Sequence, residues 1–283
     1  MLPLTSQVYM SVTIQNHYQN ELDVELIVGQ IRKHFSEGAE DFQLAPVDQL
    51  HVGGLGASKR LLERLTPLKP LHVLEIGSGL GGLMRQVESL GTIQVTGIDI
   101  CHEFNRLNRE LSRVAVGDFR GRVVTADALA LPFKDSSFDL IIFQHSLLNI
   151  PDTQALLNEC HRLLREKGSL LLHEIFTGTT PEMMVYPVPW ARSSATSHII
   201  STEKMTELLN AADFEIQSTE DWTEEALNWR QKQVAKETTS QQSRAKLAPT
   251  MIFGQDFLAM GKNIVFNISN NAVRVVEILA RAR

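Results

Sequence analysis

The feature that most constrains the fold is a glycine-rich turn between a short apolar run and a helical pattern. The run Leu71–Ile76 predicts a strand, the turn spans residues 77–82, and Gly81–Leu90 predicts a helix. Glycines in such a turn let the chain reverse tightly and let the backbone approach a ligand closely. The turn also fits the pattern of dinucleotide-binding proteins, so alone it does not select one ligand class.

Beyond the turn, strand and helix patterns alternate along the chain. We predict strands at Ile93–Ile98, Arg122–Thr125, Phe138–Phe143, Ser169–Ile175, Phe214–Gln217 and Ala272–Leu279, and helices at His102–Val114 and from an N-cap at Asp152 to a stop at Gly168. This order predicts an α/β fold: a Rossmann-like, doubly wound, mostly parallel seven-stranded sheet with helices on both faces. Such a sheet binds ligands beyond the carboxyl ends of its strands.

The remaining segments lie outside this alternating pattern. Residues 16–36 predict a helix, and with the helical pattern that follows them they form an N-terminal helical cap over residues 1–66. Residues 67–283 form the main domain, with lid-like insertions at about 176–200 and 221–260.

Composition narrows the class of protein. The formal net charge of the 283 residues is −6, which disfavours a nucleic-acid partner because phosphate backbones attract basic surfaces. The two cysteines are far apart and the histidines show no ligand spacing, so we expect neither a disulfide nor a metal. The start lacks a signal-peptide pattern and no window is long and apolar enough for a membrane span, so we expect a cytoplasmic protein. The oligomeric state is left open.

Three acidic positions lie at or just beyond the ends of predicted strands. Asp99 lies 22 residues after Gly77, where a carboxylate can accept hydrogen bonds from ribose hydroxyls; a helix N-cap is the alternative. Glu75 lies inside the turn motif and can hold the ammonium group of an amino acid. Asp127-Ala128 ends the third strand, where a carboxylate and a backbone N–H can bind the amino edge of an adenine.

These motifs, in this order, resemble those of class I S-adenosylmethionine-dependent methyltransferases over about residues 70–175. The segments 48–54, 144–152, 187–191 and Gly254 to Asn263 are similar to small-molecule methyltransferases of the sarcosine/dimethylglycine N-methyltransferase type. The resemblance implies methyl transfer from S-adenosylmethionine, which becomes S-adenosylhomocysteine, to a small-molecule acceptor, with an amine such as sarcosine or dimethylglycine as one candidate. The implied cofactor-binding residues are Glu75, Gly77, Ser78, Gly79, Asp99, Ile100, Asp127, Ala128 and Gln144.

The acceptor side is predicted from position in the sheet. His145 follows the strand ending at Phe143 and is the candidate catalytic residue, as a general base or as a residue that orients the acceptor. The candidate substrate-binding residues are Tyr18, His51, Trp190 and Arg192. Aromatic rings attract sulfonium or ammonium groups, and an arginine can bind a carboxylate with two donors. Each could instead serve packing or lie on the surface.

Other functions stay open at this point. The first alternative is an O- or C-methyltransferase acting on a small aromatic or lipid-like substrate. The second is an NAD(P)-dependent oxidoreductase with the same glycine turn, against which Glu75, Asp127-Ala128 and the lack of a Tyr-x-x-x-Lys pair argue. The third is a protein that binds the cofactor without catalysis.

Overall fold

The computed structural model describes residues 22–116, 119–238 and 247–283. The α-helices in this part of the chain are α1 (Val24–His34), α2 (Asp41–Asp48), α3 (Gly54–Leu68), α4 (Gly82–Ser89), α5 (His102–Val116), α6 (Thr153–Leu163), α7 (Thr202–Ala211), α8 (Thr223–Thr238), α9 (Thr250–Phe253) and α10 (Phe257–Ser269). The strands are β1 (His72–Ile76), β2 (Gln94–Asp99), β3 (Arg122–Thr125), β4 (Phe138–Gln144), β5 (Leu164–Thr177), β6 (Phe214–Asp221) and β7 (Val273–Ala282).

The seven strands form one sheet in the order β3-β2-β1-β4-β5-β7-β6. Strands β1 to β5 pair in parallel, and β7 runs antiparallel between β5 and β6. The predicted α/β class, the mostly parallel sheet and the strand count are therefore confirmed. The strand order changes direction at β1, which lies between β2 and β4, so the carboxyl ends of β1 and β4 flank the crevice where such sheets bind ligands.

Both faces of the sheet are covered because the central strands are apolar at successive positions. Leu74 and Ile76 of β1 pack with Leu156 and Leu157 of α6 on one face. Val73 packs on the other face, in a cluster with side chains of α3 and α4. Such continuous apolar runs are typical of parallel strands buried on both sides.

One predicted boundary is wrong. The helix that begins after Asp152 ends at Leu163, not at Gly168, and β5 begins at Leu164. Leu164 takes extended backbone angles and pairs with Phe138 of β4. The sequence pattern missed this because Leu164 is buried in either conformation, so the apolar spacing does not change where the helix becomes a strand.

The N-terminal segment packs on the main domain. α1 occupies 24–34 of the predicted helix 16–36, whose first residues, 16–21, lie outside the described part of the chain. Its N-cap is Asp23, whose carboxylate accepts the Leu26 N–H at 2.9 Å. Ile27 and Ile31 are fully buried in a cluster with side chains of α5.

The two predicted insertions also pack on the domain. Residues 176–200 hold short 3₁₀ turns and a cis Tyr186-Pro187 bond, and α10 packs against α8 and β7. Within the described ranges, no helix has both the length and the apolar character needed to cross a bilayer.

Candidate active site

A cavity lies at the carboxyl ends of β1 and β4 and brings together most of the predicted site residues. Its lining includes Glu75, Gly77, Ser78, Gly79, Asp99, Ile100, Asp127, Ala128, Gln144, His145, His51 and Trp190. These residues come from the ends of four neighbouring strands, from the segment before α3 and from the 176–200 segment. The topology of the sheet therefore assembles residues that are up to 139 positions apart, from His51 to Trp190.

The glycine turn presents bare backbone to this cavity. The N–H groups of Gly77 and Ser78 both donate to the Ile98 carbonyl, at 2.8 and 2.9 Å, which fixes the turn against β2. Gly77 and Gly79 have positive φ values of 74° and 50°. A Cβ atom on Gly77 would lie 2.3 Å from that of Ser146, whereas one on Gly79 would meet open space. Gly79 thus leaves room for a ligand against the backbone.

Asp99 holds the turn and faces the cavity. One carboxylate oxygen accepts the Gly79 N–H at 2.9 Å, and the other accepts the Cys101 N–H at 2.8 Å. Burial raises the pKa of Asp99 to about 6, against the opposing effect of these two amide bonds. Each oxygen keeps a lone pair, so the group can still accept hydrogen bonds from two hydroxyls of a ligand.

Glu75 is a buried carboxyl group without a complete set of partners. Its side chain lines the cavity, and its Oε2 atom has no hydrogen-bond partner. Burial raises the pKa of Glu75 to about 8, with Arg85 opposing and Asp99 adding to the shift. An unpaired buried acceptor is costly, so this position is suited to a ligand that brings a cation or a donor.

Sequence reasoning missed a buried ion pair beneath this position. Arg85 of α4 pairs with Asp48 at the end of α2, and both side chains are almost completely buried. Arg85 also donates to the Leu80 carbonyl at 2.9 Å. Asp48 lines the cavity, and its Oδ1 atom has no partner. The signal in the sequence is Arg85 itself, a charge within the otherwise apolar stretch Leu83-Met84-x-x-Val87.

Asp127 lies two residues after the end of β3 and lines the cavity, as its position in the sequence predicts. It follows β3 and accepts the Leu129 N–H at 2.9 Å, which shapes the loop beyond the strand. Ala128 lies beside it on the cavity wall. Ala126 donates its N–H to the Asp99 carbonyl at 3.3 Å, so the loops after β2 and β3 are joined directly.

His145 follows β4 in a left-handed conformation, with a φ of 54°. Its N–H donates to the His173 carbonyl at 3.0 Å, and its ring Nδ1 accepts the Val52 N–H at 3.4 Å. Its Nε2 atom is buried and unpartnered. Burial, together with the neighbouring His173 and His51, holds the pKa of His145 well below the usual range. The neutral ring with Nδ1 accepting carries its proton on Nε2, which makes Nε2 a hydrogen-bond donor.

His51 and Gln144 are tied to each other through Ser58. The His51 Nε2–H donates to Gln49 Oε1 at 2.9 Å, and Ser58 Oγ lies 3.2 Å from the same ring nitrogen and 3.3 Å from Gln144 Oε1. Burial lowers the pKa of His51 to about 3, so the ring is neutral. The His51 ring centroid lies 5.9 Å from that of His145. The side chains of His51 and Gln144 are thus held in place by hydrogen bonds within the protein.

Of the remaining residues predicted on the acceptor side, Trp190 lines the cavity and Arg192 does not. Trp190 is 4% exposed, lines the cavity and donates its indole N–H to Ser197 at 3.0 Å. Arg192 is not among the lining residues and forms a half-exposed ion pair with Asp256. Tyr18 lies outside the described residues, and its predicted role stays a prediction.

Comparison with known proteins agrees with this geometry. The profile of a methyltransferase domain family matches residues 74–172, which contain the glycine turn, Asp99, Asp127 and His145. The chain has class I methyltransferase architecture. Its class uses S-adenosylmethionine as the methyl donor.

The relatives of this chain have different acceptors in their names. The chain is 30% identical over 116 residues to the sterol 4-C-methyltransferase strm-1 of Caenorhabditis elegans, covering 41% of this chain and 34% of the relative. It is 27% identical over 157 residues to the sarcosine/dimethylglycine N-methyltransferase of Halorhodospira halochloris, covering 53% and 56%. The chain therefore spans about a third of the length of the first relative and slightly more than half of the length of the second.

A solved structure has the same fold as this chain. Phosphoethanolamine N-methyltransferase 2 of Haemonchus contortus, solved with phosphomonomethylethanolamine and S-adenosylhomocysteine, superposes with a TM-score of 0.70 at 19% identity. The match covers 90% of this chain and 60% of that one.

Three features of the cavity itself fit S-adenosylmethionine. The orphaned Oε2 of Glu75 suits the ammonium group, and the free lone pairs of Asp99 suit the ribose. The open space at Gly79 leaves room for the ligand to lie against the turn.

Proposed function

We propose that this protein transfers the methyl group of S-adenosylmethionine to an uncharged small-molecule acceptor that binds beside Nε2 of His145. The observation that carries the proposal is one cavity in which the carboxyl groups of Glu75 and Asp99 face the same space as a neutral histidine with an unpartnered, buried nitrogen. The first two groups suit the donor, and the third suits the acceptor.

The donor half uses residues from the sequence prediction. Glu75 binds the ammonium group, Asp99 binds the ribose, and Asp127 with Ala128 binds the adenine. Gly77, Ser78 and Gly79 supply close backbone contact, and Ile100 and Gln144 complete the wall. Asp48 adds a second unpartnered acceptor on the lining, at the side of Glu75 where Arg85 lies.

The acceptor half orients the nucleophile and excludes water. When bound, S-adenosylmethionine supplies a methyl group on a positively charged sulfur, which an aligned nucleophile displaces. Alignment and desolvation of this kind are worth up to about 7–11 kcal/mol in favourable cases. The apolar side chains of Ile150, Ile175, Trp190 and Phe253 line this part of the cavity.

His145 orients the acceptor in this proposal and does not act as a base. Its Nδ1 already accepts the Val52 N–H, so the neutral ring offers Nε2–H to an oxygen or nitrogen of the acceptor. Accepting a proton at Nε2 would charge a ring that burial and two neighbouring histidines keep neutral. An N–H or O–H acceptor then gives up its proton to solvent as the methylated product leaves the cavity.

The charge of the lining favours an uncharged acceptor over an amino acid such as sarcosine. The described residues that line the cavity include four carboxylates, Asp48, Glu75, Asp99 and Asp127, but neither lysine nor arginine. An amino-acid acceptor would bring a second carboxylate, besides that of S-adenosylmethionine, into a lining without lysine or arginine, and burying an unpaired charge is costly. The sterol acceptor in the name of the nematode relative belongs to the uncharged class.

The test has two steps. S-adenosylhomocysteine should raise the thermal midpoint of the protein, and NAD should not; stabilisation by NAD alone would refute the proposal. A panel of uncharged hydroxyl compounds and aromatic amines, with sarcosine and dimethylglycine as charged members, should then be assayed by release of S-adenosylhomocysteine. Turnover confined to the charged members would contradict the choice of acceptor.

A further inference from the structure

A second cavity of about 500 Å³ lies against the first. Its wall comes from α2, the start of α3, the middle of α8 and the segment 247–264. The residues that line it include Phe42, Ala45, Pro46, Leu55, Trp229, Arg230, Gln233, Lys236, Glu237, Leu247, Phe257 and Ile264. A volume of this size is within the range of small-molecule sites.

The two cavities share part of their lining. Leu50, Val52 and Pro189 border both of them. Val52 is also the residue whose N–H donates to Nδ1 of His145. These three residues therefore form the boundary between the cavities, and at Val52 the second cavity lies one residue away from the ring of His145.

Gly54, the first residue of α3, shapes the wall of the second cavity. Gly54 has a φ of 50°, and a Cβ atom there would lie 2.8 Å from the Trp229 ring. Without that Cβ, the indole of Trp229 packs directly on the backbone and forms a wall of the second cavity. The segment 48–54 thus serves both cavities: Asp48 and His51 line the first, and Gly54 seats a wall of the second.

The second cavity is largely uncharged inside. Arg230 forms a buried ion pair with Glu237, and its guanidinium lies 5.5 Å from the Phe257 ring centroid and 5.9 Å from that of Trp229. Its charge is therefore already balanced. Lys236 is exposed and lies on the side that faces solvent. Leu55, Trp229, Phe257 and Ile264 are apolar, so the space favours an apolar ligand.

We infer that the second cavity holds the apolar body of the methyl acceptor while the reactive end of the acceptor lies at His145. The acceptor is then an elongated amphipathic molecule with an uncharged head and an aliphatic or aromatic body. This inference rests on the proposed function, because the same acceptor must lie beside the methyl donor.

The test uses 4-alkylphenols, from 4-methylphenol to 4-hexylphenol, titrated calorimetrically into the full chain saturated with S-adenosylhomocysteine. The phenol hydroxyl is the head, and each added methylene extends the body. Affinity should rise roughly three- to fourfold per methylene, so over five added methylenes the hexyl compound should bind roughly 240- to 1,000-fold tighter than the methyl compound.

Two variants fill the second cavity from different helices. Ala45→Phe and Leu55→Trp should each reduce the affinity for 4-hexylphenol by about tenfold and leave that for 4-methylphenol within twofold. Ala211→Phe, on the exposed end of α7, is the matched control and should keep the full increase. Stabilisation by S-adenosylhomocysteine checks that each variant is folded.

The outcomes separate the two proposals. Failure of S-adenosylhomocysteine to bind the unmodified chain refutes the proposed function. Normal binding of S-adenosylhomocysteine with an affinity that stays flat along the series refutes only the inference. An equal rise in both filled variants and the control likewise overturns it, since the apolar body would then lie elsewhere.

Discussion

The donor half and the acceptor half of the cavity are built in different ways. The donor half follows the carboxyl ends of β1, β2 and β3, and its hydrogen bonds join residues close in sequence, such as Gly79 to Asp99. The acceptor half collects residues from three distant segments, including Val52, His145 and Trp190. The difference teaches that a strand-end site is encoded locally, whereas a pocket wall made of insertions depends on packing across the whole domain.

The buried pair between Arg85 and Asp48 supports the donor half beside Glu75, and its loss should have the largest effect. Arg85→Met leaves Asp48 and Glu75 buried without a cation, so the free energy of unfolding should fall by about 3–5 kcal/mol. Chemical denaturation measures this. Arg106→Met, which breaks an exposed pair with Glu25, is the control and should cost at most about 1 kcal/mol. Equal losses in both variants would show that the buried pair stabilises the fold no more than an exposed one.

Asp99→Ala should impair the donor half of the cavity selectively, by weakening cofactor binding. A bound ribose loses its acceptor, so the affinity for S-adenosylhomocysteine should fall by more than about tenfold in calorimetric titration. Asp135→Ala, which removes an exposed carboxylate, should leave the affinity unchanged. Unchanged affinity in Asp99→Ala would assign this residue to holding the turn alone, through Gly79 and Cys101.

His145→Ala should impair the acceptor half of the cavity, by lowering turnover. Loss of one orienting hydrogen bond should lower turnover by roughly three- to tenfold, while the affinity for S-adenosylhomocysteine stays within about twofold. Because the pKa of His145 is held well below its usual range, the unmodified enzyme should lose no turnover through this group between pH 8 and pH 6. A loss of rate with a midpoint near 6.5 that disappears in the variant would instead make His145 a base.

The same contrast explains what the sequence predicts. The sheet, the glycine turn, Asp99 and the position of His145 follow from strand patterns, because parallel strands bring their carboxyl ends together. The pairing of Arg85 with Asp48 and the wall formed by Trp229 do not follow, since each joins elements whose packing no local pattern fixes. Trp222 is buried in an apolar cluster, and Trp229 packs against the same cluster while it borders the second cavity.

The smallest effect concerns the proton on Glu75. Because its pKa is raised to about 8, the folded protein keeps a proton that the unfolded chain has lost between about pH 4.5 and 8. Ionisation of Glu75 therefore opposes folding as the pH rises through this window, and stability from this group is greatest at its acidic end. The ammonium group of S-adenosylhomocysteine should favour the charged carboxylate and release up to about one proton at pH 7.

Calorimetry in buffers of different ionisation enthalpy measures this release. Glu75→Gln should abolish it and flatten part of the fall in thermal midpoint between pH 5.5 and 8. Glu174 and Asp99 contribute to the part that remains: burial also raises the pKa of Glu174 to about 8 and that of Asp99 to about 6. Glu174 accepts the N–H groups of Ser146 and Leu147 and is not part of the ammonium site. Proton release that persists in Glu75→Gln would move the ammonium site to Asp48, the other cavity-lining carboxyl group beside Arg85 with an unpartnered oxygen.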